Sequence, residues 1–491
     1  MTRLNWTRLA LLSFTLTAPS WPPAEAVLGS PILLSEKKLK DFALEGAPEI
    51  SKLIAQALRS SVAHGEYQDR FSPSLFSNLS YLRSKEDPVI SYQPIYSPKT
   101  VAEIGIQKTF ASGISAKLTG SNDTREFSLS GTPEKRSIAY GSLELDIDLW
   151  KNFLGRTDQN SLDSLEAALN QTVINKELGV YTFLTKLRGH YWKLVAIDES
   201  IKISQNLFES AKKQEQDAKE RYKSSIADKS ELARYKAQSA SRSSSVSSLQ
   251  FQKEVQIREL KKLVSNLKNT EVLLAPYDLD LVVGKVLECV TQINNYQDVP
   301  LENTLYDELG KEIETYHNKK EAIAETYNDI DIQLSSTLYN KAVNDNAPDA
   351  ISDASSKDKM AYQVSLGLTI PLGGGNTEED KVKAERIEKE SQTNRIYQNL
   401  ASTHQFMKKS INLLIQSIQS QKSGKENLEI RLKEVAKKYR QGRISVGEYI
   451  NDQDALFQTE LQIIDTKSAI LQTLLEYLNV FTKTPCSFNR I

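Results

Sequence analysis

The chain has 491 residues, with 62 Lys+Arg against 63 Asp+Glu and a formal net charge of −1. Such a balance excludes a protein whose main task is gripping a nucleic-acid backbone. A mean hydropathy of −0.44, with no apolar span of ~20 residues beyond the extreme N-terminus, excludes a polytopic helical membrane protein.

Residues 1–26 read as a secretory leader. Arg3 and Arg8 supply positive charge, Leu9 to Leu16 a short apolar core, and Ala24-Glu25-Ala26 a small-x-small cleavage site after Pro22-Pro23. The mature chain is expected to begin at Val27. No Cys follows the cleavage site, so a lipid anchor is not expected.

The first weak alternating run is Leu75 to Leu82. A hairpin is expected next, with Ile104, Ile106 and Phe110 on one strand and Ile114, Ala116 and Leu118 on the other. Its turn, Ala111-Ser112-Gly113, places Gly where positive φ is needed. Residues 85–100 and 120–136 read as polar loops. The clearest strand follows. Leu143, Leu145, Ile147 and Leu149 share one face, and Ser142, Glu144, Asp146 and Asp148 the other, between Tyr140 and Trp150. This pattern fits a membrane β-barrel strand with aromatic flanks, but on the strand alone an amphipathic strand of a soluble sandwich is the favoured reading.

From residue 156 to 222 the chain holds no Pro, and Val173, Val180, Leu187, Leu194, Ile201 and Phe208 recur every seventh residue. Sustained heptads predict coiled-coil packing, and an arm of this length is ~100 Å long. Thr157-Asp158 is expected to cap its start. After Tyr222 a turn leads to Asp228-x-x-Glu231, a near capping box opening a return helix. Residues 269–301, interrupted by Pro276, Gly284 and Pro300, read as a small separate segment in which Val282, Val283 and Val286 form a short strand.

Ile330, Ile332, Leu334 and Leu338 mark another strand, 343–360 a polar loop, and Val364, Leu366, Leu368, Ile370 and Leu372 a further strand preceded by Tyr362. The run Gly373-Gly374-Gly375 lacks the Gly-Lys-Ser/Thr of a phosphate loop and reads as a turn. A second arm of ~95 Å covers 377–439, opened by the caps and acids of 376–380. Gly442 is suited to the left-handed position of its turn, and Ser445-x-x-Glu448 forms a capping box. Ile450, Phe457, Ile464, Leu471 and Leu478 continue the heptads, with Leu461 and Leu475 beside them.

Two of these features occur twice. The segment starting at Ser142 matches the one starting at Ser365 at five of eight positions. Tyr222 precedes Glu231 by the same nine residues that separate Tyr439 from Glu448. Matched features in one order at nearly one offset predict a duplicated strand–helix–turn–helix unit. Position 225 is Ser where the second copy has Gly442, so the first turn is expected to be built differently. The division expected is a first repeat at 27–268, an equatorial segment at 269–301, a second repeat at 302–482 and a tail at 483–491. No catalytic motif stands out, and His64, His190, His317 and His404 are too scattered to complete a metal site with two Cys. An exported enzyme is therefore not expected.

Leader, duplicated unit and the Tyr439-x-x-Gly442…Glu448-Tyr449 turn together resemble the outer-membrane efflux protein (TolC-like) family, over roughly residues 46–482. The resemblance implies a mainly α chain with a β-barrel portion. Three copies would share one barrel in the outer membrane of a Gram-negative-type cell, continued by a long periplasmic helical barrel. Sharing answers a physical need, since open sheet edges cannot lie in lipid. The implied role is a passive exit duct for efflux or type I secretion of small molecules or proteins, without catalytic residues or cofactor and without a nucleic-acid partner. A periplasmic adaptor and an inner-membrane transporter would dock at the helical tips: Tyr222, Ser225, Ile226, Asp228 and Glu231 in one turn, and Tyr439, Gly442, Arg443, Ile444, Ser445 and Glu448 in the other. Ordinary solvated turns are the plainer reading of these residues. Glu144, Asp146 and Asp148 would face the lumen and favour cations. Cys289 and Cys486 would both fall near the equatorial belt, where a disulfide and two thiols stand as alternatives. The usual protomer of the family gives four strands, and the hairpin near 101–119 departs from that. A periplasmic coiled-coil scaffold is the competing expectation from the heptads alone.

Overall fold

The computed structural model describes residues 29–84, 96–129, 132–294, 304–326, 330–370 and 377–481. The leader at 1–26, the glycine run at 373–375, Pro300, Cys486 and the tail at 483–491 lie outside the described residues.

The described chain opens with β1 (Gly29–Leu34), α1 (Glu36–Gly46) and α2 (Pro48–Asp69). Ser35 caps α1 by accepting from the Lys38 amide at 3.2 Å, and Pro48 occupies the first turn of α2, where a missing N–H costs nothing. Four strands follow: β2 (Ser74–Leu82), β3 (Lys99–Phe110), β4 (Ile114–Leu129) and β5 (Thr132–Asp148). The expected hairpin is β3–β4, with Gly113 at φ +76° in its turn.

The arm α3 (Arg156–Lys223) has 68 residues, and the return helix α4 (Lys229–Leu263) has 35. Then come β6 (Thr270–Leu274), α5 (Leu279–Asn294) and α6 (Leu305–Glu325). The second half repeats the plan with β7 (Asp331–Asn344), the short α7 (Ala347–Ala354), β8 (Met360–Thr369), the 64-residue arm α8 (Thr377–Arg440) and the 35-residue α9 (Val446–Val480).

Four expectations need correction. Residues 120–129 and 132–136 are strand rather than loop: their polar side chains hid the alternation, yet Asp123 pairs with Arg125 and Lys99, and Thr124 and Ser137 bond each other across the strands. The stretch 343–360 contains α7, whose N-cap Asn346 accepts from the Asp349 amide at 2.9 Å, with Pro348 in the first turn. Val282, Val283 and Val286 lie on α5, not on a strand; two of the three are core residues, and their 3–4 spacing suits a helix face. Thr157-Asp158 does not cap α3. The Asn152 side-chain oxygen accepts from both of their amides at 3.1 Å, from before the helix.

Six strands form one antiparallel sheet in the order β2-β3-β4-β5-β7-β8, and β1 pairs with β6 in parallel. The six-stranded sheet carries sharply different faces. Register runs Leu75–Ile106–Leu118–Leu143–Leu338–Tyr362 across all six strands on one face. One position along, Ser74–Gln107–Lys117–Glu144–Thr337–Gln363 lie on the other. At the far end α7 covers the apolar face, where Ala139, Ala342 and Ala350 are buried.

The main core lies between the sheet and the helical turns. Leu34, Leu39, Leu187, Leu194, Leu260, Val286, Cys289, Leu471 and Leu474 belong to one buried cluster joining the N-terminal elements, α5 and the long helices. Cys289 is buried. No helix among the described residues is long and apolar enough to cross a membrane.

Candidate functional site: the paired helical turns

The two turns at the free end of the arms are built alike. In the first, the Ser225 amide donates to Tyr222 O at 3.0 Å and the Ile226 amide to Arg221 O at 2.8 Å. In the second, Gly442 donates to Tyr439 O at 2.9 Å and Arg443 to Lys438 O at 3.0 Å. Both are Schellman motifs, which satisfy the last carbonyls of a helix through one left-handed residue. The expectation of a differently built first turn is therefore corrected: Ser225 takes the left-handed conformation at φ +57°, beside Gly442 at +68°. The return helices are capped in matching places. Asp228 accepts from the Glu231 amide at 2.6 Å, and Ser445 from the Glu448 amide at 3.3 Å.

The turns meet through a network between the repeats. The Tyr439 hydroxyl donates to the Glu231 carboxylate at 2.7 Å, and Tyr235 donates to the Tyr439 oxygen at 2.9 Å. Arg221 donates to the same Glu231 oxygen at 2.9 Å and to the Tyr439 hydroxyl at 3.3 Å. Tyr449 stacks on Tyr439 with ring centroids 5.3 Å apart. Burial, then the bond to Tyr439, pushes the Tyr235 hydroxyl well above its ordinary range. Arg221 is raised by its bond to Tyr439, so the cation stays charged at any working pH. One carboxylate thus gathers a cation and a phenol from two helices, a charge-assisted arrangement stronger than neutral bonds.

Of the residues singled out in the sequence, Glu231 and Tyr439 are brought into contact. Tyr222, Ser225, Ile226, Asp228, Gly442, Arg443, Ser445 and Glu448 form an exposed rim, with Ile444 half-buried. Ile226 is the most apolar point of that rim, 71% exposed. Behind the rim, Arg242 pairs with Asp454 and lies 4.6 Å over the Phe457 ring, Arg431 meets Asp452 at 2.9 Å, and Lys425 meets Glu460 at 2.9 Å. Sequence reasoning missed Tyr235, Arg242 and these partners, because only apolar heptads were counted.

At the opposite end Glu144, Asp146 and Asp148 share the polar face of β5. Asp146 accepts from Ser335 at 2.5 Å and Ser115 at 3.4 Å, and Lys117 stands opposite Glu144. Away from both ends, His317, Glu385 and Glu388 bring ligand atoms within 4.8 Å of one another. A hydrogen bond of 2.5 Å between His317 Nδ1 and Glu385 accounts for that grouping.

No protein-family model matches the chain, and no curated protein matches it. Solved structures do. The Campylobacter jejuni CmeC outer membrane channel superposes with a TM-score of 0.65 at 12% identity, over 91% of this chain and 85% of that one. The outer membrane protein VceC from Vibrio cholerae gives 0.64 at 12% identity, over 91% and 95%. The open state of the Neisseria gonorrhoeae MtrE outer membrane channel gives 0.58 at 11% identity, over 91% and 88%.

Proposed function

We propose that this chain, which has the fold of the TolC-like outer-membrane efflux channels, is itself an outer-membrane exit duct, working as a homotrimer and doing no chemistry. Its cargo would pass down the helical tunnel from an inner-membrane transporter, with a periplasmic adaptor seated on the tips.

The observation that carries this reading is the sheet's unpartnered apolar face. Leu75, Leu79, Tyr362 and Leu366 are 71%, 75%, 81% and 67% exposed, which water does not favour over a surface of this extent. A lipid-facing barrel wall accounts for it, and a soluble coiled-coil scaffold does not. Copies of the chain would also cover Ile54, Leu58 and Val62, an exposed apolar stripe along α2 at helical spacing. The tip network would hold the periplasmic end shut, and the rim around Ile226 and Arg443 would meet the adaptor. We also expect Cys289 to pair with Cys486, which thiol counting without reductant would test.

Purification in detergent, native mass measurement and single-channel recording test the reading. A trimer that conducts is expected; a monomer without conductance would overturn it.

A further inference from the structure

Among the described residues the six-stranded sheet ends in two bare edges, β2 and β8. Every neighbouring pair in it is antiparallel, so β2 and β8 run in opposite directions. A second copy brought round by rotation about the barrel axis therefore presents its β2 antiparallel to the first copy's β8. That is the pairing an up-and-down barrel needs, and it leaves no strand edge in lipid.

The rows of side chains say which strands belong to the wall. The apolar row from Leu75 to Tyr362 and the polar row from Ser74 to Gln363 both run through all six strands without changing face. A β2–β3 hairpin standing off the wall would need no such agreement, because a one-residue slip reverses every side chain.

Resting on the trimeric duct reading, we infer that each copy contributes six strands and that three copies close an eighteen-stranded barrel through β8–β2 seams. Its backbone diameter would be ~36 Å against ~24 Å for twelve strands, the range in which barrels leave an open aqueous channel.

The test uses full-length protein in detergent. Val364→Cys on β8 is combined in turn with Leu75→Cys, Ser77→Cys or Leu79→Cys on β2, and separately with Ala116→Cys or Leu118→Cys on β4. After oxidation, covalent trimers are expected on non-reducing gels for at least one β2 combination and for neither β4 combination. A β8–β4 cross-link in a trimer, or no β2 cross-link, overturns the inference while leaving the duct reading intact. A monomer by native mass measurement overturns both. Because cysteine variants can fail to assemble, the unmodified trimer is also imaged by electron cryomicroscopy. Eighteen strands in the barrel are expected, and twelve would sink the inference.

Discussion

Ser225 holds a conformation that its side chain disfavours, at φ +57°. A non-glycine residue there costs about 1 kcal/mol relative to Gly. Ser225→Gly is expected to strengthen the first turn by about that amount, read as slower amide exchange at Ile226 and Ala227; faster exchange would contradict the account. Tyr439 is the other informative residue, since its hydroxyl joins Glu231, Tyr235 and Arg221. Tyr439→Phe removes those bonds while keeping the ring stacked on Tyr449, and should cost ~1 kcal/mol. The expected outcome is roughly fivefold faster local exchange at the tips of α4 and α9, with larger or more frequent channel openings in bilayers. Unchanged exchange would show that the network does not hold the turns together. The Tyr-x-x-Gly spacing made this site's position legible in the sequence. Its partners were not, because Glu231 and Tyr439 lie 208 residues apart, and no spacing rule reaches that far.

Among the elements, α9 was read well and α4 poorly. Phe457, Ile464, Leu471 and Leu478 are buried as the heptads predict, and so are Leu187, Leu194 and Ile201 on α3. The helix α4 also keeps a strict 3–4 spacing, through Leu232, Tyr235, Ser239, Arg242 and Val246, all buried. Only two of those five are aliphatic, so a search for apolar repeats passes over it. Its seam is filled by Arg242, whose guanidinium lies over the Phe457 ring and pairs with Asp454, since this planar cation stacks on an aromatic face while its N–H groups find a carboxylate. Arg242→Met keeps most of that packing and leaves Asp454, 44% exposed, to water, so it should change local stability by less than ~1 kcal/mol. Arg242→Ala opens a void and should cost ~2–3 kcal/mol. Hydrogen exchange along α4 and α9 separates the two, and equal losses would mean that charge, not packing, matters.

Two helix-borne histidines set an acid limit. Burial, then Lys186, lowers His190, and burial, then Lys408, lowers His404, both from the ordinary 6.5. A histidine lowered in the folded chain binds fewer protons there than when unfolded, so stability falls as pH drops below 6.5 and levels off below the folded value. Nothing is lost above 6.5. Thermal unfolding between pH 7.5 and 5 should show this slope, and His404→Gln should flatten it; an unaltered slope would remove His404 from the account.

For the whole molecule, a duplicated plan is expected because turns and strands recur in register, and the first turn's bonds from Ser225 to Tyr222 and from Ile226 to Arg221 recur in the second as Gly442 to Tyr439 and Arg443 to Lys438. The strand extensions at 120–129 and 132–136 were not legible, because beyond the apolar band both faces of a strand are polar and alternation fades. The same polar face carries the charge prediction. Glu144, Asp146 and Asp148 lie on one strand with Lys117 opposite only the first of them, so if the proposed duct turns this face to its lumen, passage should favour cations mildly. The combined variant Glu144→Gln, Asp146→Asn, Asp148→Asn should move the reversal potential in a salt gradient towards zero. Anion preference in the unaltered channel would contradict the lumen assignment.

The start of α3 has a mechanical meaning. Gly155, at φ +78°, presses so closely on the β3–β4 turn that a Cβ there would stand 1.6 Å from the Ala111 carbonyl oxygen. The arm is thus clamped to the sheet at its root, with no slack for a hinge. A rod ~100 Å long fixed in this way is a lever, and a tilt of only ~5° carries its far end ~9 Å. Small strains near the sheet and large excursions at the tips are then one motion, and stiffness at the root sets how much force it takes to displace the tips.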